Sequence, residues 1–267
     1  MSKTSDRRFQ FSFANDGITF AVRALILTNA AIFAAQLLLD IFLGENPPIN
    51  PAGGTSILGC LAYSNGRFLS GWVWVALTYM FIHAGLYHLF MNMLQLYFFG
   101  PDVERLLGTR QFIGFFLGCG VVGALVNFVP VLFGRPDVQV LGASGAILGV
   151  LVAFAINDPD RQIYFLPLPF PITARAMILV FLVYNLIQSL QPGGPISVGT
   201  HLGGMAAGFG YMKLRPLTLR WSWQRRGRRV RREKTKPTPP DAGGGGNQKK
   251  LADAIVNIFR FQDREKH

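Results

Sequence analysis

Four runs of this chain hold no Asp, Glu, Lys or Arg: Phe68–Pro101, Gln111–Gly134, Val138–Asn157 and Ala176–Met212. Each reaches the roughly 20 mostly apolar residues that a helix needs to cross a bilayer. Half of the 267 residues are apolar and only 15% are charged, which is too little charge for an ordinary soluble domain. The fold class expected is therefore an all-α integral membrane protein.

With one further apolar stretch ahead of them, the runs predict six spans. The first lies over Ala24–Leu43, with Asn29, Gln36 and Asp40 as mild interruptions. A long connection, roughly Gly44 to Trp72, follows with Pro47, Pro48, Pro51, Gly53 and Gly54; connections of that length are often functional. The second span is expected near Leu86–Gly100, with Asp102, Glu104, Arg105 and Arg110 marking an aqueous loop beyond it. The third lies near Phe112–Phe128. The fourth starts near Ser144 and is short. Pro192-Gly193-Gly194-Pro195 divides the last run into a fifth span near Thr173–Leu190 and a sixth near Ser197–Leu214.

Net charge is +12, but unevenly placed: eleven basic residues fall between Lys213 and Lys236 against one acid, Glu233. With an even span count both termini share a side. The positive-inside rule puts them in the cytoplasm with Arg7, Arg8, Arg23, Arg105, Arg110, Arg161, Arg175 and the basic tail, leaving only Arg67 and Arg135 outside. The expected organisation is a cytoplasmic segment over 1–20, a six-span domain over 21–214 and a tail over 215–267. That tail reads as a Pro- and Gly-rich linker ending in an amphipathic pattern over Lys249–Phe261. Anionic lipid headgroups suit the basic segment; nucleic acid does not suit a tail on a membrane protein. Cys60 and Cys119 lie in different contexts and do not read as a disulfide.

This topology starts spans two, four and six at one face. His88, Ser144 and His201 then lie at a similar depth beneath it, since each residue rises 1.5 Å along a helix. Ionisable and polar groups inside a membrane are costly and point to function. Asn92 is one turn on from His88, so the two share a helix face. A serine, a histidine and a pair of hydrogen-bond donors are the parts of acyl transfer: His201 takes the proton of Ser144, Ser144 attacks a carbonyl, and His88 and Asn92 hold the oxyanion. No carboxylate stands at that depth to orient His201, so a two-residue dyad is expected. Gly204 and Gly208 share the face of His201, and small residues let helices approach closely in lipid. Packing against Gly145 and Gly149 would bring His201 toward Ser144.

These residues resemble the rhomboid intramembrane serine proteases. The motifs are His83-x4-His88-x3-Asn92, Glu104-x3-Gly108, Gly142-x-Ser144-Gly145 and His201-x2-Gly204-x3-Gly208, within Ala24–Leu214. The resemblance implies a rhomboid-like six-helix bundle with Ser144 as nucleophile and His201 as general base. It also implies an oxyanion hole of His88, Asn92 and the backbone N–H of Ser144. The long first connection matches the family's interfacial loop, and Gly193-Gly194 falls in the loop that caps such sites. Two positions depart from the pattern. Trp74-Val75 stands where many members have Trp-Arg, and Leu148 stands where many have an aromatic ring stacked on the base.

Other readings account for less of the chain. Ser144 alone reads equally well as a packing residue between small neighbours, and His83 as a structural hydrogen bonder at a loop end. Three histidines without a carboxylate or thiol partner do not make a metal site, and no cofactor is expected. A catalytically silent rhomboid-like protein that binds membrane helices would have no need of both Ser144 and His201. A transporter would spread its ionisable groups along a path. The expectation is a serine endopeptidase acting on transmembrane proteins, in a bacterial cytoplasmic membrane.

Overall fold

The computed structural model describes residues 17–43, 59–134, 137, 139–164, 170–190 and 198–215. The chain divides into two units, Met1–Pro216 and Leu217–His267. The amphipathic pattern over Lys249–Phe261 and the Gly193-Gly194 loop lie outside the described residues.

The first unit is mostly helical. The long helices are α1 (Phe20–Leu43), α4 (Leu86–Leu107), α5 (Thr109–Val126), α7 (Ser144–Asn157), α8 (Ala174–Leu190) and α9 (198–215). Short helices α2 (Asn65–Leu69), α3 (Val75–Thr78) and α6 (Phe128–Leu132) occupy the connections. Among the described residues, Phe20–Phe42 and Thr109–Leu132 are each long and apolar enough to cross a membrane alone; Ser144–Asn157 and Ala174–Gln188 are apolar but shorter.

The all-helical expectation needs one correction. Gln162–Ile163 (β1) and Ile172–Thr173 (β2) pair antiparallel, Gln162 opposite Thr173 and Ile163 opposite Ile172. The chain breaks at Asp158-Pro159-Asp160-Arg161, and backbone groups freed between α7 and α8 must find partners. The ladder supplies them, extended by the Ala174 N–H on the Arg161 carbonyl at 2.9 Å.

A second correction concerns the end of α4. The helix does not stop at Gly100 but continues through Pro101 to Leu107. The reason is Glu104, which is 3% exposed and turned toward α1. Its carboxylate accepts the N–H groups of Ala21 and Val22, both at 3.0 Å, and the Thr109 hydroxyl at 2.8 Å. The first N–H groups of any helix lack partners within it, so this acid completes α1. Asp102, expected in an aqueous loop, is likewise helical and pairs with Arg105 at 3.2 Å and Arg161 at 2.6 Å.

α7 is the central helix. All but one of its first dozen residues are buried, the exception being Ser144 itself. Aromatic contacts tie neighbours around it, with Phe99 of α4 against Phe154 of α7 at 5.0 Å and Phe115 of α5 against Tyr211 of α9 at 4.9 Å. α9 reaches α7 backbone to backbone. A Cβ on Gly204 would run into the carbonyl oxygen of Gly145, and one on Gly208 would lie 2.5 Å from that of Gly149. Any larger residue at these points would push the two helices apart.

Candidate active site

The site forms where α4, α7 and α9 all begin. Ser144 is the first residue of α7, His88 lies in the first turn of α4, and His201 in the first turn of α9. Ser144 is held there from both sides. Upstream, Tyr63 and Val140 exchange backbone hydrogen bonds at 3.0 and 2.8 Å, and the Gly142 N–H reaches the Tyr79 carbonyl at 2.9 Å. Tyr79 is fixed in turn by its hydroxyl on the Gly120 carbonyl at 2.7 Å. Downstream, Gly145 seats α7 on α9, with Thr200 against it.

Ser144 Oγ lies 2.7 Å from His201 Nε2. Both residues are half-buried. The other ring nitrogen, His201 Nδ1, lies 2.8 Å from Asn185 Oδ1 on α8. The N-cap of α7, Ala143, makes no side-chain capping bond. The leading N–H groups of α7, those of Ser144 and Gly145 among them, therefore find no acceptor within the helix or on its cap side chain. An anion bound beside Ser144 would meet those donors and the positive end of the helix dipole.

A Cβ on Gly142 would lie 2.6 Å from His88 Cε1 and 2.8 Å from Nε2, so the imidazole rests against the Gly142 backbone. Gly142 also has φ +105, a region L side chains rarely adopt. Asn92 is buried, and its amide donates to the His88 carbonyl at 3.0 Å. His83 is buried. Its ring packs edge-on against His88 at 5.2 Å, and its backbone N–H and carbonyl are both bonded to the Gln36 amide at 3.1 Å. That two-point clasp ties α1 to the turn before α4.

A family model, the rhomboid domain, matches residues 70–215. The chain belongs to the rhomboid family. It is 32% identical over 185 residues to the rhomboid protease GluP of Bacillus subtilis, covering 68% of this chain and 34% of that one. It is 31% identical over 133 residues to rhomboid protein 1, mitochondrial, of Saccharomyces cerevisiae (49% and 38%). It is 33% identical over 135 residues to the human presenilin-associated rhomboid-like protein, mitochondrial (49% and 35%). The chain spans about a third of the length of these curated relatives. It is a membrane protein with apolar helices, as rhomboid proteins are.

At the two positions that depart from the rhomboid pattern, this chain has other partners. Val75 is buried, and the first connection is anchored by other groups. Trp74 donates its indole N–H to the Cys60 carbonyl at 3.2 Å and stacks on Trp72 at 5.6 Å. The Arg67 guanidinium donates to the Gly59 carbonyl and lies over the Trp72 ring. Leu148 is buried in α7 and offers no ring.

Asn185 is absent from the residues that the sequence singles out. A carboxylate is the usual group to orient a base, and among the described residues none stands near His201; the partner is an amide instead. A signal for it exists in the sequence. Asn185 is a polar side chain in the charge-free run Ala176–Met212, as costly there as the serine and histidine.

Proposed function

We propose that this chain is a six-span intramembrane serine endopeptidase in which Ser144 is the nucleophile and His201 the general base. The observation that carries the proposal is the 2.7 Å contact between Ser144 Oγ and His201 Nε2. A serine hydroxyl is a weak nucleophile until a base accepts its proton, and this distance is that of a working nucleophile–base pair. As Ser144 attacks the carbonyl of the scissile bond, Nε2 takes the proton. The oxyanion is held by the N–H of Ser144 and by His88, with Asn92 behind it. His201 then delivers the proton to the leaving amine, and water repeats the sequence on the acyl-enzyme.

In this reading α1, α4, α5, α7, α8 and α9 are the six spans of a domain over 21–214. At 14 residues α7 is only about 21 Å long, shorter than the roughly 30 Å hydrocarbon core. A short central helix sets Ser144 below the surface, where water can follow. Both termini are cytoplasmic, in a bacterial inner membrane, and the tail over 215–267 meets anionic headgroups through its basic residues. The substrate is a single-span protein whose helix loosens near the same face, because an intact helix keeps its carbonyls hydrogen-bonded. Close packing around Ser144 favours a small side chain before the cut.

The test is cleavage of a model single-span substrate in liposomes by wild type, Ser144→Ala and His201→Ala. Cleavage by wild type alone, with both variants folded, supports the dyad. Equal cleavage by Ser144→Ala overturns the dyad, and no cleavage by wild type on several such substrates favours a helix-binding protein without catalysis.

A further inference from the structure

We propose that Asn185 is a positioning residue that fixes the tautomer and plane of His201, making the pair a relay of three groups. This rests on the reading of Ser144 and His201 as the reacting pair. Three observations carry it. Asn185 Oδ1 lies 2.8 Å from His201 Nδ1, the nitrogen that Ser144 does not use. The Asn185 residue is 3% exposed, so water does not compete for that oxygen. Its Nδ2 donates to the Phe181 carbonyl, one turn back on α8, at 2.8 Å.

The third bond decides which way the amide faces. The NH2 group is committed to the Phe181 carbonyl, so the group facing the imidazole is the oxygen. An amide oxygen accepts and cannot donate. The proton of that hydrogen bond must sit on His201 Nδ1. A neutral imidazole carries one proton, which leaves Nε2 bare and aimed at the Ser144 hydroxyl 2.7 Å away. The other tautomer would set Nδ1 and Oδ1, two acceptors, against each other in a buried place.

Asn185 also turns its oxygen toward the imidazolium formed during acyl transfer. It also ties α8 to α9 at the level of the reacting atoms.

The experiment uses the full-length protein in detergent. Cleavage kinetics of a single-span substrate are measured for wild type, Asn185→Leu and Asn185→Asp, beside Ser144→Ala. The His201 tautomer is read by 15N NMR of histidine-labelled protein, its signals assigned by their loss in His201→Gln. Leu matches the volume without the acceptor, whereas Asp keeps the acceptor. The expected results are Nδ1–H in wild type and a shift toward Nε2–H in Asn185→Leu. The kcat of that variant should fall about 10- to 100-fold with KM unchanged, within the range of general base catalysis, and Asn185→Asp should recover most of it. Wild-type kcat in folded Asn185→Leu, equal losses in the Leu and Asp variants, or Nε2–H in wild type would each overturn the proposal. The wild-type spectrum decides even if Asn185→Leu does not fold. Undiminished cleavage by Ser144→Ala would instead remove the underlying reading, which separates the two failures.

Discussion

Two polar clusters occupy opposite ends of α4, and they are built on opposite plans. At the last turns, Glu104 is buried, and the N–H groups of Ala21 and Val22 and the hydroxyl of Thr109 converge on it. At the first turn, His88 rests on the Gly142 backbone beside a half-buried Ser144–His201 pair and a helix terminus with no side-chain cap. The first cluster is satisfied and closed, as structural polar groups in an interior must be. The second keeps donors and a serine hydroxyl accessible. Polarity inside the membrane therefore does not by itself mark chemistry; the number of commitments already made does.

The largest effects should divide along that line. Ser144→Ala and His201→Ala should each lower cleavage by about 10³-fold or more, with thermal midpoints close to wild type, since each removes one member of the proposed dyad and little packing. Circular-dichroism melts beside the cleavage assay check both halves. A large loss of stability in Ser144→Ala would mean the hydroxyl is structural, and the comparison would collapse.

Gly204→Ala should breach the division. Its Cβ meets the Gly145 carbonyl, so α9 must move off α7 and carry His201 away from Ser144. Overpacking of this kind costs about 1–3 kcal/mol. A displacement near 1 Å at the reacting atoms costs on the order of 10²-fold in rate. Loss of both stability and cleavage is the expected outcome. Full activity with a lowered melting point would show that α9 yields elsewhere than at His201.

Glu104→Ala belongs wholly to the closed cluster. It strands two N–H groups at the start of α1, and should cost about 2–4 kcal/mol. Cleavage by the molecules that remain folded should match wild type, measured as kcat per titrated active site. A changed kcat would mean that the two ends of α4 are coupled.

Much of this arrangement is legible in the amino-acid sequence. The charge-free runs mark α5, α7, α8 and α9 because helices that face lipid or lie buried among other apolar helices cannot carry free charges. The fourth span is expected to start near Ser144, and α7 does start there. What escapes is set by partners distant in the chain. Charges at Asp102, Glu104 and Arg105 read as a loop, yet Glu104 has its partners 82 and 83 residues away in α1, so the helix runs on. Asn185 escapes because amides do not announce orientation. Whether its oxygen or its nitrogen meets His201 depends on the Phe181 carbonyl, which only the three-dimensional register of α8 reveals. The first connection reads as a long loop. Its later part holds α2 and leads into α3, and Trp74, Arg67 and Tyr79 pin this stretch to groups that no local pattern names.

The smallest effect tests where the boundary between the two plans falls. Thr200 precedes His201, is fully buried, and its hydroxyl accepts from the Asn127 amide at 2.5 Å. Asn127 in turn accepts from Asn65 at 3.1 Å, so the bond continues a network from the first connection through the end of α5 to α9. By the criterion of commitments this is a closed cluster, although it adjoins the base. Thr200→Val keeps the methyl that packs on Gly123 and Gly145 and removes only the acceptor. The Asn127 amide is then stranded, at a cost of about 1–2 kcal/mol. Because neither Asn127 nor the Thr200 hydroxyl bonds to Ser144 or His201, kcat should stay within about threefold of wild type, under 1 kcal/mol of barrier. A tenfold fall in kcat without loss of fold would move this network into the machinery, and accessibility would no longer separate structural polarity from chemical polarity here.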